Sequence, residues 1–175
     1  KKTFDLAELR YGLGLQMLLY LFALEQEGGA LFGGKEIVPA GVLYTPAREP
    51  MLRCARNTAD ETIEKARKKE LRRSGMVLED PAVLEAMEHD ALDAPEYLPI
   101  AVKKGGALSG SLASEGQFAK LAKYVDRVLR EIADEVFAGN INADPYARTP
   151  QQSACTYCEF ASACHFENGR GGDHM

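Results

Sequence analysis

GLGLQMLLYLFAL, from Gly12 to Leu24, is the stretch on which the reading of this chain turns. Residues four apart stack on one face of a helix, so Gln16 and Tyr20 project a carboxamide and a phenol together from an otherwise apolar rod. A buried carboxamide is costly without a partner. The pair therefore marks either a polar site or a Gln that satisfies a backbone group inside the core. Working outward, the apolar pattern predicts a helix from about Leu6 to about Gln26, stopped by Gly28 and Gly29, and central and buried in the fold. At about 13 residues the apolar run is too short to span a bilayer, which needs roughly 20, so no membrane segment is expected.

The 175 residues suffice for one domain with a core, and 46% apolar with 27% charged residues is ordinary for a globular protein. A net charge of -5 argues against a surface that is basic throughout, while leaving room for a local basic patch. The chain opens on Lys1, Lys2 and Thr3 without a Met or a leader pattern, which reads as a piece of something larger, and GRGGDHM reads as a loose tail.

Further along, Glu36 to Pro46 reads as a strand with Pro39 near its start. Thr58 and Glu61 form a capping-box signature for a helix that Gly75 would close. Asp80 and Pro81 open a short helix with Val83, Leu84 and Met87 as its stripe. Tyr97 to Lys104, followed by Gly105 and Gly106, reads as a strand and turn. The clearest periodicity runs through Phe118, Leu121, Val125, Val128, Ile132 and Val136, behind a Ser114 and Gln117 capping pair, to Gly139. A Pro-containing loop from Asn140 to Gln152 follows.

Cys155, Cys158 and Cys164 then form a C-x2-C-x5-C pattern, with Cys54 alone upstream. Such bunching favours a metal site over a disulfide framework, because neighbouring thiolates converge on an ion without cross-linking loops. Structural zinc and a [4Fe-4S] cluster both take four protein ligands, so one is missing. Cys54 and His165 are the candidates in this chain, and neither has a persuasive spacing. The plain alternative is three reduced thiols in a loop.

The order of the Gln-x3-Tyr helix, the PAGVLYTP strand, the GMVLEDPAVLEAM segment, a long amphipathic helix and the terminal C-x2-C-x5-C resembles the nuclease domain of the AddB subunits of bacterial helicase-nucleases, in the RecB-like branch of the PD-(D/E)XK nucleases. The resemblance covers about Phe4 to Phe166. It implies an α/β fold: the C-terminal part of a restriction-endonuclease-like core, helix-rich, over residues 1–152, a Cys-rich iron-sulfur loop over 153–167, and a flexible tail over 168–175. Carried over, it implies that Gln16 and Tyr20 lie beside the active site, and that Cys155, Cys158 and Cys164 hold a [4Fe-4S] staple whose fourth cysteine lies upstream. It further implies Mg²⁺-dependent exonuclease action on DNA ends in recombinational repair, an AddA-type partner in a heterodimer, and a cytoplasmic location.

What the chain lacks matters equally. The metal-binding acids and lysine of such nucleases precede the Gln-Tyr helix, and here no lysine has Asp or Glu two residues before it. No G-x4-G-K-[ST] phosphate loop is present either. By itself the chain is expected to be inactive. The basic run Lys65, Arg67, Lys68, Lys69, Arg72 and Arg73 suits a phosphate backbone less well than a solvated helix face, because Glu61, Glu64 and Glu70 are interleaved. Two other readings stand beside the first: a stand-alone iron-sulfur exonuclease of the CRISPR-adaptation type, disfavoured by the long separation of Tyr20 from Cys155, and a non-enzymatic zinc-ribbon binding module.

Overall fold

The structure, a computed structural model, describes residues 4–142, 144–149 and 152–164. His165 and the expected tail lie outside those residues. The chain divides into two compact units, with the division inside one helix between Val128 and Leu129.

The first unit opens with a 3-10 helix, Leu6–Tyr11, whose N-terminus is capped by the Asp5 carboxylate accepting from the Ala7 amide at 2.9 Å. Helix α1 follows at Gln16–Leu31. The single helix expected from Leu6 is therefore broken, because Gly12 (φ 72°) and Gly14 (φ 69°) adopt left-handed backbone that a continuous helix excludes. The expected stop also moves. Gly28 and Gly29 stay helical, and the chain leaves the helix at Phe32, ahead of the positive-φ pair Gly33 and Gly34. Nor is α1 buried all round: Leu18, Phe22 and Gly28 are buried, whereas Gln16, Tyr20, Leu24 and Leu31 face solvent.

Strand β1 (Gly41–Tyr44) begins after Pro39 and ends before Pro46, inside the expected span. Helix α2 (Asp60–Leu71) carries acids in its first turn and lysines in its last, complementing the helix dipole. Its expected capping box does not form, because the Thr58 hydroxyl donates instead to the Ala55 carbonyl at 2.9 Å. Gly75 does not close that helix. It lies in strand β2 (Ser74–Leu78), which runs antiparallel to β1 with Leu43 opposite Gly75. Helix α3 (Pro81–Met87) starts as expected, with the Asp80 carboxylate accepting from the Val83 amide at 3.0 Å.

The expected strand is confined to β3 (Ile100–Val102), and after the expected turn at Gly105 and Gly106 it pairs with β4 (Leu108–Gly110) as a hairpin; β5 (Leu112–Ala113) runs parallel to β2. The main sheet thus has the order β1-β2-β5, with β2 in the middle and Gly75 to Leu78 all buried. Val77, Leu84, Ala91, Leu98 and Ile100 make the core against that strand. Leu98 is fully enclosed and held by both backbone groups. Its amide donates to Glu88 at 2.7 Å, and its carbonyl accepts from the Arg72 guanidinium at 2.9 Å.

Helix α4 (Glu115–Phe137) has the expected reciprocal cap: the Ser114 amide donates to the Gln117 carboxamide oxygen at 2.8 Å, and the Gln117 amide donates to the Ser114 hydroxyl at 3.3 Å. In the second unit, the expected loop contains two short antiparallel strands, β6 (Ala147–Thr149) and β7 (Gln152–Ser153). A 3-10 turn, Ala154–Tyr157, and a four-residue helix, α5 (Ala161–Cys164), carry the cysteines. Among the described residues of this unit none is fully buried.

Candidate functional site

The amide-phenol pair stands at the first turn of α1. The Gln16 carboxamide donates to the Tyr20 phenol at 3.0 Å, and both side chains are exposed. The sequence left open a polar site or a Gln satisfied inside the core; the pair lies at the surface. The reason is geometric. Gly12 ends the preceding 3-10 helix, Leu15 at the start of α1 is buried, and Gln16, one residue and about 100° further round the helix, is exposed. With the carboxamide nitrogen bonded to the phenol oxygen, the carboxamide oxygen accepts nothing from the described residues and the phenolic proton is uncommitted. The pair therefore offers an acceptor and a donor next to each other on a surface.

Three of the six residues of the basic run, Arg67 and Lys68 on α2 and Arg72 just past its end, are engaged by the fold. Arg67 makes two bonds to the Glu49 carboxylate, at 3.0 and 3.2 Å, and Lys68 pairs with Glu96 at 2.6 Å. Arg72 donates to the Leu98 and Ile100 carbonyls. The hydrogen bond that the Lys68 ammonium donates to the Glu96 carboxylate lifts its pKa above the ordinary value, against a smaller opposing effect of desolvation. The partners are thus Glu49 and Glu96, outside the helix, rather than the interleaved glutamates of α2.

Cys155, Cys158 and Cys164 belong to the second unit and Cys54 to the first; all four thiols are free. The Cys158 amide donates to the Cys155 carbonyl at 3.3 Å, a tight return that brings the two residues to successive positions of one turn. Among the described residues no three His, Cys, Asp or Glu side chains converge as a metal-binding group. The thiols suit a soft, thiolate-preferring centre by chemistry, but as arranged they do not enclose one.

Residues 1–165 match the PD-(D/E)XK nuclease superfamily. The chain belongs to that superfamily. It is similar over nearly its whole length to several individual proteins. It is 33% identical over 175 residues to AddB of Clostridium kluyveri, a subunit of an ATP-dependent helicase/deoxyribonuclease, covering 98% of this chain and 15% of that protein. It is 33% identical over 171 residues to the AddB of Ruminiclostridium cellulolyticum, with 97% and 15% covered. The Acetivibrio thermocellus AddB is 35% identical over 168 residues, with 95% and 14% covered. The chain therefore spans about 15% of the length of the relatives it matches. These names favour neither the stand-alone exonuclease nor the zinc ribbon. Among the described residues no helix is long and apolar enough to cross a membrane.

Sequence reasoning missed the bared side of α1. Leu24 falls in the helix expected to be buried and Leu31 lies beyond its expected end at Gln26, so neither was read as a surface position, yet both are exposed.

Proposed function

We propose that this chain is part of the nuclease domain of a helicase-deoxyribonuclease subunit that trims DNA ends for recombinational repair, working with an AddA-type partner in the cytoplasm. The observation that carries the reading is the exposed Gln16 and Tyr20 pair in a chain matched to the nuclease superfamily over residues 1–165. The pair suits a supporting role at a DNA-cutting site: an uncommitted acceptor and donor, side by side, hold a phosphate oxygen, a water or an ammonium in one orientation.

Mg²⁺ supplies such nucleases with a Lewis acid and an activated water. The acids of this chain do not fit that task, since the described residues bring no three of them together. The catalytic acids and lysine therefore belong to another part of a longer polypeptide, and the 175 residues alone do not cut. Cys155, Cys158 and Cys164 would hold three corners of a [4Fe-4S] cluster, with the fourth thiolate supplied from elsewhere in that polypeptide. Support comes from three free thiols in a unit without a buried core, the kind of small module that depends on a metal or partner for order.

The test is cleavage of a linear duplex with Mg²⁺ by the 175-residue chain and by a longer polypeptide containing it, paired with its partner subunit. Cutting by the longer protein alone, reduced by Gln16→Ala, is expected. Mg²⁺-dependent cutting by the isolated chain, or a longer protein indifferent to Gln16, overturns the reading.

A further inference from the structure

Between β1 and α2 the chain runs through residues 45–59 without a helix or strand, a length of irregular backbone that is uncommon in a compact unit unless it has a task. Its charge is one-sided. Arg48, Arg53 and Arg56 are exposed, and among the described residues none of the three donates to a carboxylate or a carbonyl. The one acid of the segment, Glu49, is already taken by Arg67 of α2 through two bonds. The basic positions of α2 are instead interleaved with Glu61, Glu64 and Glu70. A chain of net charge -5 thus gathers three uncompensated guanidiniums on one irregular stretch. That stretch is also held in place. Besides the bond at Glu49, the Thr58 hydroxyl and the Thr58 amide both donate to the Ala55 carbonyl, at 2.9 and 3.1 Å, closing a turn around Arg56. Leu52 and Thr58 share a crevice with Thr62, Ile63 and Ala66, so the segment lies along α2.

From these we infer that residues 48–56 are an arm for the sugar-phosphate backbone of DNA, with the Arg48, Arg53 and Arg56 guanidiniums donating to its phosphate oxygens. This rests on the reading above that the chain acts on DNA, and it assigns a contact outside the Gln16 and Tyr20 pair. The cation type suits the task. A guanidinium is a planar, weakly hydrated fork that matches two phosphate oxygens, and every cation of residues 45–59 is an arginine. Anchoring at Glu49 and at the Ala55 turn lowers the ordering cost of binding. A merely solvated face fits less well, because such a face pairs its charges with nearby acids, whereas three like charges without partners add nothing to the fold. An acidic protein surface also fits less well. Arg48 and Arg56 are eight residues apart, at most about 28 Å of backbone. A continuous polyanion meets charges spread over that length in any register, while a protein would have to place each carboxylate individually.

Binding of a linear DNA duplex by the 175-residue chain across a salt series tests the proposal. The Arg48→Gln, Arg53→Gln, Arg56→Gln triple variant should bind about tenfold or more weakly, and the slope of log affinity against log salt should become shallower by about 2–3. A control that loses the same charge from two helices, Lys65→Gln, Lys69→Gln, Lys120→Gln, should stay within about threefold of wild type. A second measurement needs no variant. DNA should slow alkylation of Cys54, which is exposed between Arg53 and Arg56, by about fivefold or more relative to Cys158 of the same chain. A wild-type chain that does not bind DNA overturns the proposal, as do equal losses in the two variants or a Cys54 that reacts as fast with DNA as without it. A triple variant that keeps its DNA affinity but no longer joins the partner subunit assigns the arm to an acidic protein surface and also overturns it. DNA cleavage by the longer polypeptide is measured alongside. Cleavage with Cys54 unprotected sinks the arm alone, and protection without cleavage sinks the functional reading alone.

Discussion

Gln16 and Tyr20 are joined across one turn of α1 by a 3.0 Å hydrogen bond that lies at the surface, with nothing else among the described residues bonded to either side chain. A polar pair in that setting contributes little to holding the fold, so its substitution separates function from stability. Gln16→Ala and Tyr20→Phe should shift the unfolding free energy of this chain by no more than about 0.5 kcal/mol. In a longer, DNA-cutting polypeptide each should lower kcat/KM by about tenfold or more, the equivalent of one charge-assisted hydrogen bond. Urea unfolding beside cleavage kinetics reads both.

Glu88 makes the opposite prediction. Its carboxylate accepts from the Glu96 amide at 2.5 Å, the Tyr97 amide at 3.0 Å and the Leu98 amide at 2.7 Å, closing the loop between α3 and β3 over the core. Removing it strands three donors at once, one of them on the fully enclosed Leu98. Glu88→Ala should cost about 2–4 kcal/mol in urea unfolding, with Glu88→Gln losing less because one acceptor oxygen remains. A neutral Glu88→Ala would show that the loop is held by packing alone.

Two glycines offer a matched pair. A Cβ at Gly75 would lie 1.9 Å from the Val42 carbonyl oxygen, on backbone at φ 150°, whereas a Cβ at Gly116 in α4 meets nothing within 4 Å. Gly75→Ala should therefore push β1 from β2 and cost about 3 kcal/mol or more, enough to abolish folding of a marginal domain. Gly116→Ala should stabilise by about 0.5–1 kcal/mol through helix propensity and a less flexible unfolded chain. Circular dichroism melts of the two variants decide it.

Lys68 has a pH signature. Its pKa is raised in the folded chain by the hydrogen bond it donates to Glu96, so the folded state holds that proton more tightly than the unfolded state. The resulting stability is fully present below the ordinary lysine value of about 10.4 and fades as pH climbs through the raised folded value. The stability gap between wild type and Lys68→Met should be constant from neutral pH to mildly alkaline conditions and close only in strong alkali. Urea midpoints across that range measure it; a gap that closes near neutrality would assign the effect to another group.

The cysteines predict a colour. A longer polypeptide purified anaerobically should be brown from thiolate-to-iron absorption, and Cys155→Ala or Cys158→Ala should bleach it and release iron. A colourless protein carrying zinc would return the zinc-ribbon reading.

Local signals were legible wherever neighbours in sequence are neighbours in space. Asp80 with Pro81 opened α3, Ser114 with Gln117 capped α4, Gly105 and Gly106 turned the β3 and β4 hairpin, and the order of the Gln-x3-Tyr helix, the GMVLED segment and the cysteine triplet suggested the nuclease superfamily. All of the structural signals depend on side chains within a few residues of the backbone they satisfy.

What tertiary structure alone decided involves partners far apart in sequence. Gly75 looked like a helix stop, yet lies in the central strand because β1 approaches its backbone too closely for any side chain. The basic run around α2 looked self-paired, yet Arg67 goes to Glu49, Lys68 to Glu96, and Arg72 to the Leu98 and Ile100 carbonyls. Helix α1 looked buried all round, yet keeps one side bare. Hydrophobicity records what a residue would gain by burial, whereas whether anything covers it depends on which other segment arrives, and no local pattern encodes that.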